Sequence, residues 1–186
     1  MIVIGGSLGG MRSLSQILQG LPARGFPLPI AVVLHRMKDA DTVLFDFLKE
    51  ESPLPAREVL DKEPILPGHI FLAPADYHLL VEPTHFCLSI DEPVLHARPS
   101  IDVLFESAAD AYGKSVIAIV LSGANRDGAD GAALIKEKGG RVIVQDPATA
   151  ESGIMPQATL DAVEADYILP PERMGPLLLE LTEHLR

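Results

Sequence analysis

The 186-residue chain has one cysteine, Cys87, so no disulfide can form within it. A reducing, cytoplasmic setting is the expectation. Long apolar runs are missing too. The most apolar stretch, SVIAIVL at 115–121, is far shorter than the roughly 20 residues a membrane-spanning helix needs. The start, MIVIGG, has neither a basic region nor a small-residue cleavage site, so no secretory signal is read there. Basic residues are scarce. Lys and Arg number 15 against 26 Asp and Glu, a formal net charge of −11. Such a surface repels nucleic acid phosphates and anionic membranes, so neither is expected as a partner. The histidines lack metal-ligand spacing, and no metal or cofactor is expected. No repeat, linker or low-complexity stretch divides the chain, which is read as one domain over 1–186.

What is present is regular. Short β-branched runs alternate with helical patterns, the signature of βαβ units. MIVI at 1–4 reads as a buried strand, 5–10 as a glycine turn, and 11–21 as a helix with Met11, Leu14, Ile17, Leu18 and Leu21 on one face. PIAVVLH at 29–35 is a second strand, ending at His35. Thr42 is expected to cap a helix running through Glu51. Between 56 and 90, HIFLAP, HLLVEP and HFCLSI read as short antiparallel strands, with Cys87 as core packing. Ser100 is expected to cap a helix over 101–113, SVIAIVL to be central, and a helix at 128–138 to stop at Gly139-Gly140. RVIVQ at 141–145, a Pro-bounded segment at 156–163, a strand at 167–169 and a helix at 171–185 complete the pattern. The predicted fold is α/β: a three-layer doubly wound, mainly parallel sheet with an antiparallel hairpin excursion at an edge.

Gly5-Gly6-Ser7-Leu8-Gly9 fits G-x-S-x-G and sits between a strand and a helix. There the serine is forced outward and the helix N-terminus offers N–H groups to an oxyanion. A dinucleotide loop would need glycine at Ser7, and a phosphate loop would need a following Lys-Ser/Thr pair. Alternatively Ser7 merely caps the helix. Of six histidines, only His35 ends a predicted parallel strand, where ligand sites of open α/β sheets gather. Asp127 follows SVIAIVL in SGANRDG and could orient His35 or cap the next helix. Three strands each ending in one member of a Ser/His/Asp set make a candidate triad. Its chain order differs from the Ser, Asp, His order of α/β-hydrolases.

Several stretches together resemble the catalytic domain of chemotaxis protein-glutamate methylesterases of the CheB type. They are GGSLGG at 5–10, LHRM at 34–37, PGHIFLAPADYHL at 67–79, RPSIDVLFESAA at 98–109, LSGANRDGADG at 121–131 and QDPATAESGIMP at 145–156. The resemblance covers nearly the whole chain. It implies Ser7 as nucleophile, His35 as base, Asp127 as the orienting carboxylate, and an oxyanion donor where Ala124 stands. It implies hydrolysis of glutamate methyl esters on chemoreceptor cytoplasmic helices, with glutamine deamidation as a second reaction. The family usually has Met at the Ala124 position and often Thr or Ser at Leu8, so both sites bear on rate or substrate. A receiver domain usually precedes this domain, and none is read within 1–186. A different ester or amide hydrolase, or a silent receptor-docking module, stays open on the residues alone. Arg12, Arg36, Arg98 and Arg126 lie in the motif loops. They are read either as a positive mouth for an acidic surface or as structural partners of Asp39, Asp102 or Asp130.

Overall fold

The computed structural model describes residues 1–35 and 41–183, the side chains of 41–44 excepted. Seven strands form the main sheet: β1 (Ile2–Gly6), β2 (Ile30–Leu34), β3 (Ala56–Glu58), β4 (Ile70–Leu72), β7 (Ile117–Val120), β8 (Arg141–Gln145) and β9 (Tyr167–Leu169). Their spatial order is β3-β4-β2-β1-β7-β8-β9, and every adjacent pair is parallel. β5 (His78–Val81) and β6 (Phe86–Ser89) pair with each other, antiparallel, as a separate hairpin.

Alternation along the strands builds the three layers. Val3, Ala31, Val33, Ala118 and Val120 face one core, while Ile2, Ile4, Ile30, Val32, Ile117 and Ile119 face the other. Because both faces are buried, the inner strands β2, β4 and β7 read as unbroken apolar runs, while the edge strand β3 carries Arg57 and Glu58 and is only half-buried. The first core is covered by α3 (Ile101–Tyr112), α4 (Ala129–Glu137), α5 (Ile154–Ala162) and the hairpin. The second is covered by α1 (Gly10–Gln19), α2 (Asp41–Glu51) and α6 (Pro171–Thr182).

The structure departs from the sequence expectations in a few places. HIFLAP supplies β4, an interior parallel strand, and not part of an antiparallel meander. The hairpin adds no strand to the sheet edge. It packs beside α3 and over β4, with the Phe71 and Phe86 rings 4.8 Å apart, where a helix would otherwise cover the sheet. The segment at 156–163 belongs to α5, its Pro156 accommodated in the first turn. α2 begins at Asp41, so Thr42 lies within it, and the Thr42 side chain is outside the described residues. α6 is described to Thr182, and the predicted extension to 185 lies largely outside the described residues. Cys87 is half-buried, and Lys62 Nζ donates to its Sγ at 2.9 Å. No helix among the described residues is long and apolar enough to cross a membrane.

β1 is the middle strand. The chain leaves it toward β2 through α1 on one face, and the path into β7 comes through α3 on the other. The C-terminal ends of β1, β2 and β7 therefore meet where the winding reverses, the place where open parallel sheets leave a crevice.

Candidate active site

Ser7 is the first residue after β1. Its N–H donates to Ser122 O at 2.9 Å, and its carbonyl accepts from Gly10 N at 2.8 Å. The turn into α1 is tight enough to need Gly9 in the left-handed region, φ 79°. A Cβ there would also come within 2.6 Å of Glu151 Cβ and 2.8 Å of Ser122 Oγ. Ser122, fully buried after β7, donates to Leu8 O at 2.6 Å and accepts from Ser152 N at 3.0 Å. It ties the serine turn to the 145–156 loop. The Leu8 and Ala124 amides have no partner among the described residues. Leu8 itself is 53 % exposed, so its side chain takes nothing from the packing of the turn.

His35 follows β2, its own N–H bonded to Gly6 O at 3.0 Å. Its Nε2 lies 2.7 Å from Asp127 Oδ2. Asp127 is completely buried. Ser100 Oγ and Asp102 N donate to its Oδ1 at 2.8 and 3.0 Å, and Ile101 N to its Oδ2 at 2.7 Å. The positive end of α3 thus receives this carboxylate. Burial alone would push the Asp127 carboxyl up. The hydrogen bond from His35 and those from the amides of Asp102 and Ile101 instead hold it below the ordinary carboxylate value. Asp127 does not cap α4. That place is taken by Gly128 at φ 96°, where a Cβ would meet Ile101 Cγ2 at 2.6 Å.

Ser7 and His35 line a cleft of about 750 Å³ together with Asn125, Asp76, Arg98 and the 93–99 loop. The Ser7 hydroxyl makes no hydrogen bond to the ring among the described residues. The loop wall is held in an unusual shape. Val94 and Ala97 exchange hydrogen bonds across Leu95 and His96, whose φ values are 48° and 64°. Two non-glycine residues there cost roughly 1–3 kcal/mol each, and such strain concentrates at ligand sites. A second hollow of about 750 Å³ opens at the opposite ends of the strands, between Pro29, Val116 and Arg141. None of the candidate residues lines it.

The arginines do not assemble as a mouth. Arg98 lines the cleft, but its Nη1 donates to the Ile90 and Asp91 carbonyls at 2.9 and 3.1 Å. Arg126 pairs with Asp130 at 2.8 Å, both side chains more than half exposed. Arg12 sits in another hollow beside Glu151 and Glu172. Arg36 lies outside the described residues. No three His, Cys, Asp or Glu side chains converge as a metal site among the described residues.

Three residues of the site were passed over in the sequence. Ser100 caps α3 through Val103 N, as its position foretells, but its hydroxyl also serves Asp127. His78 is buried and receives Ser100 N at 3.2 Å, so it braces Ser100 from behind. Asn125 sits two residues before Asp127 and touches His35. A polar residue beside a motif aspartate was the available signal for Asn125. Nothing in the sequence joins His78 to Ser100, because that contact needs the hairpin's placement.

The family model described as CheB methylesterase matches residues 2–178. The chain belongs to the CheB methylesterase family. A Leptospira interrogans relative is 42 % identical over 184 residues, 98 % of this chain and 95 % of that protein. The relative from Anaeromyxobacter dehalogenans, named protein-glutamate methylesterase/protein-glutamine glutaminase 2, is 40 % identical over 97 % of this chain but 53 % of its own length. This CheB-family chain therefore spans nearly all of some relatives and about half of others. The crystal structure of the Thermotoga maritima CheB methylesterase catalytic domain superposes with a TM-score of 0.93 at 36 % identity, covering 97 % of both chains.

Proposed function

We propose that this chain is a serine hydrolase that removes methyl esters from glutamate side chains of chemoreceptor-type proteins, acting in the cytoplasm as one catalytic domain. The observation that carries the reading is the 2.7 Å bond between His35 and the fully buried Asp127, at the wall of a cleft that also holds Ser7. A buried carboxylate fixed by that many donors orients an imidazole firmly.

The ring is used in a definite sense. Nε2 is engaged with Asp127, so the nitrogen left to accept a proton is Nδ1. In the proposed reaction Nδ1 takes the Ser7 proton as Oγ attacks the γ-carboxyl ester carbon. The oxyanion is received by the Leu8 and Ala124 amides, which have no partner among the described residues and for which side-chain identity matters little. The protonated ring returns its proton to the departing methoxide, giving methanol and a glutamyl-Ser7 ester. Water, deprotonated by the same nitrogen, then releases glutamate and Ser7. A glutamine side chain presents the same carbonyl with ammonia as the leaving group, which supports deamidation as a second reaction.

Replacing Ser7 tests the scheme. Ser7→Ala is expected to lower methanol release from a methylated receptor fragment by on the order of 10⁴-fold, and to abolish labelling by a fluorophosphonate. Methanol release that survives the substitution would remove Ser7 from the mechanism.

A further inference from the structure

Asn125 closes a ring of hydrogen bonds that begins and ends on Asp127. The Asp127 backbone N–H can only donate, and Asn125 Oδ1 receives it at 3.1 Å. The other end of the amide is therefore the NH₂ group, and it lies 3.3 Å from His35 Nδ1. A donor facing Nδ1 requires a lone pair on that nitrogen. The ring proton then sits on Nε2 and points at Asp127 Oδ2, 2.7 Å away. Main chain, amide, imidazole and carboxylate form one circuit with a single consistent direction.

We propose that Asn125 is a positioning residue that keeps the Nδ1 lone pair of His35 available to Ser7, because it presents an N–H donor to that nitrogen and no acceptor. The proposal rests on the triad reading above. It adds a requirement on the polarity at position 125, a residue that lines the same cleft. The Ser7 hydroxyl, itself a donor, takes the place of the amide at Nδ1 when the proton moves. An acceptor at this position would draw a proton onto Nδ1 and leave the ring with no lone pair for Ser7.

Two substitutions separate this from a purely structural part. Asn125→Asp keeps the oxygen that receives Asp127 N–H but turns the face toward Nδ1 into an acceptor. Asn125→Ala removes both contacts. A turn-forming role alone ranks Asp above Ala. The proposal ranks Ala above Asp: kcat reduced about 100-fold or more in Asn125→Asp, the scale of a lost general base, and about 10-fold or less in Asn125→Ala. KM is expected to stay within about threefold and the circular dichroism spectrum unchanged. Imidazole ¹⁵N spectra supply a readout that needs no turnover. His35 Nδ1 should be pyridine-like in the wild-type chain and pyrrole-like in Asn125→Asp. Equal or better turnover in Asn125→Asp than in Asn125→Ala would overturn the proposal, as would an unprotonated Nδ1 in Asn125→Asp. A wild-type chain that neither reacts with a fluorophosphonate nor releases methanol would sink the hydrolase reading, and the nitrogen spectra would still decide the part of Asn125.

Discussion

At the scale of single residues, the site is an exercise in matching donors to one buried charge. Asp127 takes hydrogen bonds from an imidazole, a hydroxyl and two amides, so no lone pair is left facing the core unsatisfied. Ser100 has the most to lose by substitution. It donates to Asp127 and accepts from Val103 N at the start of α3. Ser100→Ala should cost roughly 1–3 kcal/mol, combining a lost cap with a lost bond to a charged group. In a chain of this size that is a fall of several degrees in Tm. Ser100→Asp keeps a cap but sets a second carboxylate against the first. It should therefore be less stable than the alanine variant and hydrolyse more slowly. A differential-scanning measurement in which Ser100→Asp matched the wild type would show that the hydroxyl does not serve Asp127.

At the scale of elements, α3 does more than cover the sheet. Its first turn brings both Asp127's donors and a second buried acid, Asp102, whose Oδ1 accepts from Gly131 N at 2.8 Å. Burial first, then the neighbouring Asp127 charge, push the Asp102 carboxyl up to about 7. Asp127 has four donors and Asp102 one, so the proton belongs on Asp102. The sign of the linkage follows. A carboxyl raised by folding stabilises the fold fully at acid pH, and that contribution is lost as pH rises toward 7. Asp102→Asn is neutral at every pH, so it should be more stable than the wild type at pH 8, by about 1–2 kcal/mol after allowance for screening. The difference should shrink as pH falls below 7 and close only below about pH 4, where the carboxyl of the unfolded chain is protonated as well. Thermal melts at both values check it, and a constant difference would mean that Asp102 is ionised throughout. This coupling was not legible in the sequence, where Asp102 reads only as an acid suited to a helix start. Most strands and helices were legible, because burial on both faces makes β2 and β7 continuously apolar and α1, α3, α4 and α5 open at a glycine or a capping serine, whereas the half-buried β3, Ala56–Glu58, carries no such pattern. Ser7, His35 and Asp127 were legible as candidates because each follows a predicted strand. What escaped was tertiary placement. HIFLAP is too short for its partner to be read from periodicity, and the hairpin's packing over β4 depends on Phe71 meeting Phe86.

At the scale of the whole molecule, charge decides how a protein substrate arrives. The formal net charge is −11, and the motif-loop arginines that the structure describes do not gather at the cleft. Arg98 is held by carbonyls, Arg126 by Asp130, and Arg12 lies beside two glutamates. A steering field toward an acidic substrate therefore has little to build on, and long-range repulsion dominates the encounter. Repulsion between separated charges weakens as the Debye length shrinks to about 10 Å at 0.1 M salt. With an acidic methylated receptor fragment, kcat/KM should accordingly rise when ionic strength is raised from about 0.02 to 0.2 M, while a small neutral ester should show no such trend. Arg126→Glu should change kcat/KM less than about twofold, because an exposed pair contributes little and the residue lies outside the cleft lining. A fall in kcat/KM with added salt, steepened or abolished by reversing Arg98 or Arg126, would instead restore a positive mouth and place the attraction on those side chains.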